Sequence, residues 1–300
     1  MMLTEMQIAV LGGDARQLEI VKKLTELDAK LYLIGFEQLA QAFSGAVKEK
    51  INDVDFSKID ALILPVPGTN LAGEVDTIFS NEKITLTEKI LRATPSHCKI
   101  YSGISNAYLD KITNNANREL IQLFKRDDVA IYNSIPTVEG TIMMAIQNTD
   151  ITIHQSSVSV LGFGRVGMSV ARTFSLLGAK VKVGARDLAH LARITEMGMK
   201  PFHLDTLKAE VKDLDICINT IPHPVLTAGI IAGMPTNTLI IDLASKPGGT
   251  DFRYAEKRGV KALLAPSLPG IVAPKTAGQI LANILAQLLS EDFQIREENE

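Results

Sequence analysis

Strand-length apolar runs alternate along almost the whole chain with segments whose apolar positions return every three or four residues. That alternation predicts strands and helices in turn, the pattern of an α/β layer structure. In the first part, strands are expected over residues 7–11, 30–34, 61–64, 99–101 and 129–132, with helices over 16–27 and 109–124. A connecting helix is expected over 137–150, started by Thr137 with Glu139 or Gly140 and stopped at Asn148-Thr149-Asp150. Further strands follow at 158–161, 180–183, 215–219, 239–243 and 260–264, with a short one near 200–203. Six such strands fit a doubly wound parallel sheet of order 3-2-1-4-5-6. The last helix, 277–289, carries Ile280, Leu281, Ile284, Leu285, Leu288 and Leu289 around most of its circumference. It is expected to pack back on the first domain or into a subunit interface, because a surface helix shows a narrower apolar stripe. The charged tail 291–300 is expected to fray.

One strand runs into Gly162-Phe163-Gly164-Arg165-Val166-Gly167, the spacing of a dinucleotide fingerprint. Gly162 permits the tight turn, Gly164 lets the backbone approach a pyrophosphate, and Gly167 lets the next helix pack closely with its N-terminal amides toward the phosphates. A carboxylate at the end of the next strand would hold the ribose of NAD; here Gly184-Ala185-Arg186 stands instead. Ala185 takes the place of the acid, and Arg186 offers a charge-assisted fork to a 2′-phosphate, so NADP is expected over NAD. Asp187 follows and offers partial neutralisation. The reading is an α/β chain of two Rossmann-like domains, the second a doubly wound parallel sheet binding a dinucleotide. Residues 1–136 form a substrate domain, 137–276 the NADP domain with its connecting helix, and 277–300 return to the first. The first domain's turn, Gly12-Gly13-Asp14-Ala15-Arg16, lacks the full fingerprint, so no second nucleotide is expected.

Composition narrows the ligand. A net charge of −3 without a basic run argues against a nucleic-acid partner, and no apolar run reaches the length of a membrane span. With no signal-like segment before residues 7–11, a cytoplasmic protein is expected. Cys98 and Cys217 sit in apolar strand contexts and read as buried reduced thiols, and the five histidines lack ligand spacing with them, so no metal is expected.

Ligands of open α/β sheets lie beyond the carboxyl ends of the strands. There the second domain offers Thr220-Ile221-Pro222-His223-Pro224 and Asp242-Leu243-Ala244-Ser245-Lys246-Pro247-Gly248-Gly249. His223, held between prolines, suits a general base or a carboxylate clamp, and Lys246 suits an anion or proton-transfer role. Thr220, Ile221, Pro222, Asp242, Ala244 and Ser245 join Gly162, Gly164, Arg165, Val166, Gly167, Ala185 and Arg186 as expected coenzyme contacts. For a substrate carboxylate the candidates are Arg16, Pro67, Ser102, Ser134 and Lys275.

Taken together, Gly12-Gly13-Asp14-Ala15-Arg16, Pro65-Val66-Pro67-Gly68, Asn133-Ser134-Ile135-Pro136-Thr137-Val138-Glu139-Gly140, the fingerprint, Gly184-Ala185-Arg186, Asn219-Thr220-Ile221-Pro222 and Asp242-Leu243-Ala244-Ser245-Lys246-Pro247-Gly248-Gly249 make the chain resemble the A-subunit family of dipicolinate synthase, found in endospore-forming bacteria, over nearly its full length. The resemblance implies a fold like the 2-hydroxyacid and alanine dehydrogenases and a companion flavoprotein, the B-subunit. It also implies dihydrodipicolinate, or its hydrated tetrahydro precursor, as a small dicarboxylate substrate oxidised to dipicolinate during sporulation in the mother cell. Two other readings stand beside it. One is a nucleotide-binding docking or regulatory subunit with the redox step on the partner flavin; the other is a stand-alone 2-hydroxyacid or amino-acid dehydrogenase. A homo-oligomer is expected from the apolar last helix.

Overall fold

The computed structural model describes residues 2–245 and 247–297. It divides into two compact units, one taking the chain up to Val129 and again from Ala273, the other Ala130–Val272. In the first unit six strands form one parallel sheet. They are β1 (Gln7–Leu11), β2 (Lys30–Ile34), β3 (Ala46–Glu49), β4 (Ala61–Ile63), β7 (Lys99–Ser102) and β8 (Leu120–Gln122), in the order β3-β2-β1-β4-β7-β8. A short antiparallel hairpin, β5 (Glu74–Val75) with β6 (Ile84–Thr85), stands apart from that sheet. Both faces of the sheet are buried, so its strands read as continuous apolar runs rather than alternating ones. From β1, Ile8 and Val10 enter the core beneath α1 (Ala15–Glu26), while Ala9 and Leu11 enter the core on the opposite face. That second core includes Leu91 of α2 (Glu88–Ala93) and Leu109 and Ile112 of α3 (Ala107–Ala116).

Residues 109–124, expected as one helix, divide. Asn117 takes the left-handed conformation at φ 52° and caps α3, after which the chain forms β8. The strand expected at 129–132 does not form either. Those residues lie inside α4 (Asp127–Asn148), whose start is ten residues ahead of the expected Thr137. Asp127 and Asp128 occupy its first turn, where negative charge complements the helix dipole. Pro136 is carried inside this helix, and Thr137 donates its hydroxyl to the Asn133 carbonyl at 2.8 Å.

The second unit repeats the architecture. Its strands β9 (Ser157–Leu161), β10 (Lys180–Ala185), β11 (Lys200–His203), β12 (Ile216–Asn219), β13 (Leu239–Asp242) and β14 (Lys261–Leu264) run parallel in the order β11-β10-β9-β12-β13-β14. Counted within the unit this is 3-2-1-4-5-6, the doubly wound order expected from the chain. Helices α5 (Arg165–Leu176), α6 (Leu188–Glu196), α7 (Leu207–Glu210), α8 (Ala228–Ile231), α9 (Phe252–Arg258) and α10 (Leu268–Val272) complete it. Val170, Ala171 and Phe174 of α5 and Ile194 of α6 cover one face with Val158, Val160 and Val183 of the sheet.

The last helix, α11 (Pro274–Glu297), belongs to the first unit. Leu281, Ile284, Leu285 and Leu289 enter the core that holds Ile20, Val21 and Leu24 of α1, while Gln279, Asn283 and Gln287 form an exposed polar stripe. Its far end is tied to the sheet: Asp292 accepts from Lys99 and Tyr101, both at 2.5 Å, and Arg296 donates to Asp60 at 2.6 Å. Among the described residues no helix is long and apolar enough to cross a membrane.

Candidate functional site

Between β9 and α5 the chain turns at Gly162, whose φ of 95° is a conformation that only glycine adopts without strain. A side chain there would also meet Thr220 Oγ1 at 2.5 Å and Ile221 at 2.9 Å, residues just past β12. At Gly167 a Cβ would drive into the Gly162 carbonyl, so this glycine lets α5 approach the turn. Gly164 differs: a Cβ there would meet nothing within 4 Å. It is the N-cap of α5, and no side chain caps the helix. The amides of Phe163, Gly164 and Val166 hydrogen-bond to no described residue. Open space beside Gly164 together with amides that have no described partner suits an anion.

The equivalent turn of the first unit is closed by its own chain. Asp14 caps α1 by accepting from the Arg16 amide at 3.0 Å. Gly13 donates its amide to the Asp76 carbonyl at 2.7 Å, and a Cβ on Gly12 would lie 2.6 Å from that oxygen. The segment after β5 thus fills the place a phosphate would take.

At the end of β10, Ala185 is buried and Arg186 is exposed, with no ion pair to a described residue. Asp187 makes no ion pair with it. As N-cap of α6, its Oδ1 accepts from the amides of Ala189 and His190 at 2.7 and 3.2 Å.

The loops after β12 and β13 are joined by a buried pair. Asn219 and Asp242 are both fully buried, and the Asn219 Nδ2 donates to Asp242 Oδ1 at 3.0 Å. The same carboxylate accepts from the Ala244 amide at 3.0 Å, the Gly249 amide at 2.8 Å and the Thr250 hydroxyl at 2.7 Å. Four donors use the capacity of two carboxylate oxygens. Asp242, expected as a coenzyme contact, spends its carboxylate on organising the loops around it. Gly249 locks the two loops together: a Cβ would stand 2.5–2.7 Å from Asn219 Nδ2, the His223 carbonyl and the Ile221 carbonyl. His223 is exposed on the resulting turn, between exposed Pro222 and Pro224, and its imidazole hydrogen-bonds to no described residue. Thr220 turns its hydroxyl onto the Leu161 carbonyl at 2.8 Å, while Ala244 is buried and Ser245 exposed. Lys246 lies outside the described residues.

The residues expected to contact carboxylates fall in unlike surroundings. Arg16 is largely buried and its guanidinium already grips Asp14, with Nε at 2.9 and 3.1 Å and Nη2 at 2.6 Å, leaving Nη1 as the part without a hydrogen bond to a described residue. Burial raises the Asp14 pKa, but the Arg16 hydrogen bonds and charge outweigh it and hold the carboxyl below its ordinary value. Ser102 is buried and donates to the Ile104 carbonyl at 2.7 Å, which fixes a loop and leaves its proton committed. Ser134 is buried within α4, bonded to the Ile131 carbonyl at 2.7 Å and to Ser169 of α5 at 2.8 Å, so it joins two helices. Pro67 and Lys275 are exposed, the latter in the first turn of α11. Cys98 and Cys217 are buried free thiols, and no group of metal-ligating side chains occurs among the described residues. The organising roles of Asn219, Gly249 and Thr250 leave no local signal in the sequence, because they require two loops to be brought side by side.

Comparison with known proteins agrees with this layout. Residues 7–124 match the family described as the N-terminal domain of the dipicolinate synthase A-subunit, and residues 130–298 match alanine dehydrogenase/PNT, C-terminal domain. The dipicolinate synthase A-subunit of Bacillus subtilis (strain 168) is 65% identical over 290 residues, covering 97% of this chain and 98% of that one. The crystal structure of the corresponding protein from Bacillus halodurans superposes with a TM-score of 0.95 at 63% identity, covering 96% of this chain and 99% of that one. An L-alanine dehydrogenase structure superposes at 0.61 with 16% identity, covering 95% and 89%, a likeness of fold. The second unit is thus of a dehydrogenase type that implies a nicotinamide dinucleotide. With two parallel six-stranded sheets and near-full-length identity to its relatives, the chain belongs to the A-subunit family of dipicolinate synthase.

Proposed function

We propose that the second unit binds NADP and that the chain oxidises dihydrodipicolinate to dipicolinate, acting with a companion flavoprotein, the B-subunit. The observation that carries the coenzyme reading is the open, uncapped turn at Gly164 combined with Arg186, free of ion pairs to described residues, at the end of the neighbouring strand. Amides of the turn and the α5 dipole hold the pyrophosphate, and Arg186 holds the 2′-phosphate. When bound, the nicotinamide supplies a two-electron hydride acceptor. Oxidation of a dihydropyridine to an aromatic ring releases one hydride and one proton, so the protein must provide a proton acceptor. His223 has that chemistry, on a turn fixed by two prolines and by the Asn219–Asp242–Gly249 knot. The substrate's carboxylates require cationic partners, for which Arg16 through Nη1 and Lys275 are the groups to test.

A direct test mixes the purified chain with freshly generated dihydrodipicolinate and NADP and follows reduced-coenzyme absorbance, with and without the flavoprotein. Reduction of NADP together with formation of dipicolinate supports the reading; no reduction under either condition overturns it. A second reading is a docking or regulatory role with the redox step on the partner flavin. It is favoured by His223 having no hydrogen-bonded partner among the described residues to orient its ring. Under that reading His223→Ala leaves the activity of the assembled complex intact, whereas a proton-accepting His223 predicts its loss.

A further inference from the structure

His190 lies in the first turn of α6, just past Arg186, and its amide is held by the Asp187 cap. The residue is exposed. Its ring meets the ring of Phe163 edge to face, with centroids 5.7 Å apart and planes inclined by 68°. Phe163 is buried and forms part of the glycine turn itself, between Gly162 and Gly164. The ring contact therefore places the imidazole against the glycine turn, in the first helical turn after Arg186, which stands at the end of β10 without an ion pair to a described residue.

We propose that His190 acts with Arg186 in binding the 2′-phosphate of a phosphorylated dinucleotide, which makes it a residue that discriminates between the two coenzymes. The proposal rests on the coenzyme reading above. A phosphate monoester presents three strong acceptor oxygens and more than one negative charge near neutral pH. A guanidinium fork satisfies two of those oxygens, and an imidazole N–H four residues further along the chain supplies a donor for the third. Asp187 is the carboxylate in this stretch, and the Oδ1 that caps α6 is turned toward the helix amides. A ribose without the phosphate presents only hydroxyls, so neither side chain gains an anionic acceptor from it. His190 accordingly contributes to NADP affinity and little to NAD affinity.

The competing role for His190 is packing against Phe163, and two substitutions separate the roles. His190→Phe keeps an aromatic ring on Phe163 and removes the N–H; His190→Gln keeps an N–H donor and removes the ring. Each variant of the full chain, and the unsubstituted chain, is titrated calorimetrically with NADP and with NAD. The expected result is that His190→Phe weakens NADP binding at least about fivefold and leaves NAD within about twofold. His190→Gln loses less NADP affinity than His190→Phe. Unchanged NADP affinity in His190→Phe overturns the proposal, as does equal weakening of both coenzymes, which assigns His190 to shaping the turn. Failure of the unsubstituted chain to bind either coenzyme sinks the underlying coenzyme reading, a result distinguishable from all the others.

Discussion

A carboxylate at a strand end can meet a ligand or its own chain, and at Asp242 the chain has taken every acceptor site. Its neighbours in the fold, not its neighbours in sequence, decide this, since Asn219, Gly249 and Thr250 reach it from two different loops. In Asp242→Asn the new amide N–H faces either the Gly249 amide or, flipped, the Asn219 and Ala244 N–H groups, leaving buried donors opposed. A loss of about 2–3 kcal/mol is expected, read from urea unfolding followed by circular dichroism. Arg186 is the opposite case, a charge with no ion pair to a described residue. Arg186→Ala is expected to weaken NADP binding by about 1.5–3 kcal/mol, roughly ten- to a hundredfold, with NAD binding little changed in the same titrations. Asp14 gives a pH signature. Because Arg16 holds the folded carboxyl below its ordinary value, the unfolded chain takes up the proton first as pH falls. Its contribution to stability is thus complete above the unfolded value of about 4 and is lost as pH falls through the folded one. Melting temperatures between pH 6 and 2 should show a shallower acid limb in Asp14→Asn than in the unsubstituted chain.

Two helices that begin at corresponding points of the two sheets have opposite N-termini. The first is capped by Asp14 and covered by the chain at Asp76; the fifth is capped by a glycine and open. The sequence contrast between Gly13-Asp14 and Phe163-Gly164 already separates them, because a carboxylate cap occupies the site of an anion. At Gly164 a methyl group has room in the folded chain, and on the proposed coenzyme reading it stands where the phosphate binds. Gly164→Ala is expected to keep the melting temperature and to weaken coenzyme binding about tenfold or more by calorimetry. Helix boundaries were less legible. At α4, Pro136 and the β-branched run before it read locally as a break, whereas packing of Ser134 on Ser169 and of Val138 and Ala145 in the core makes one continuous helix. The missed end of α3 did leave a signal, Asn117, a residue that tolerates the left-handed cap. For α11 the apolar circumference is explained by burial against α1 and the sheet. Leu285→Ala, at a fully buried position, should cost about 2–5 kcal/mol of stability in equilibrium unfolding.

Across the whole molecule the same six-stranded parallel order appears twice, and both sheets bury their two faces. Cys98 and Cys217 lie in that interior. Burial pushes the Cys98 thiol up to about 11 and the Cys217 thiol up to about 12. The unfolded chain ionises both near pH 8.5, so their contribution to stability is complete below that value and is lost as pH rises toward the folded values. Neither thiol should react with a chromogenic disulfide at pH 8 until denaturant unfolds the chain; prompt reaction of either in the folded protein would contradict their burial.

The sequence by itself determined the alternation of strands and helices, the parallel order of the second sheet, the glycine turn and the arginine beside it. These depend on local periodicity, on backbone freedom at single residues and on the chirality of βαβ connections, all of which are written in neighbouring positions. Only the tertiary structure decided which polar side chains are already used. Arg16 is committed to Asp14, Ser102 and Ser134 to carbonyl oxygens, and Asp242 to four donors. A buried polar group must find its partner wherever folding brings one, and that partner can lie anywhere along the chain.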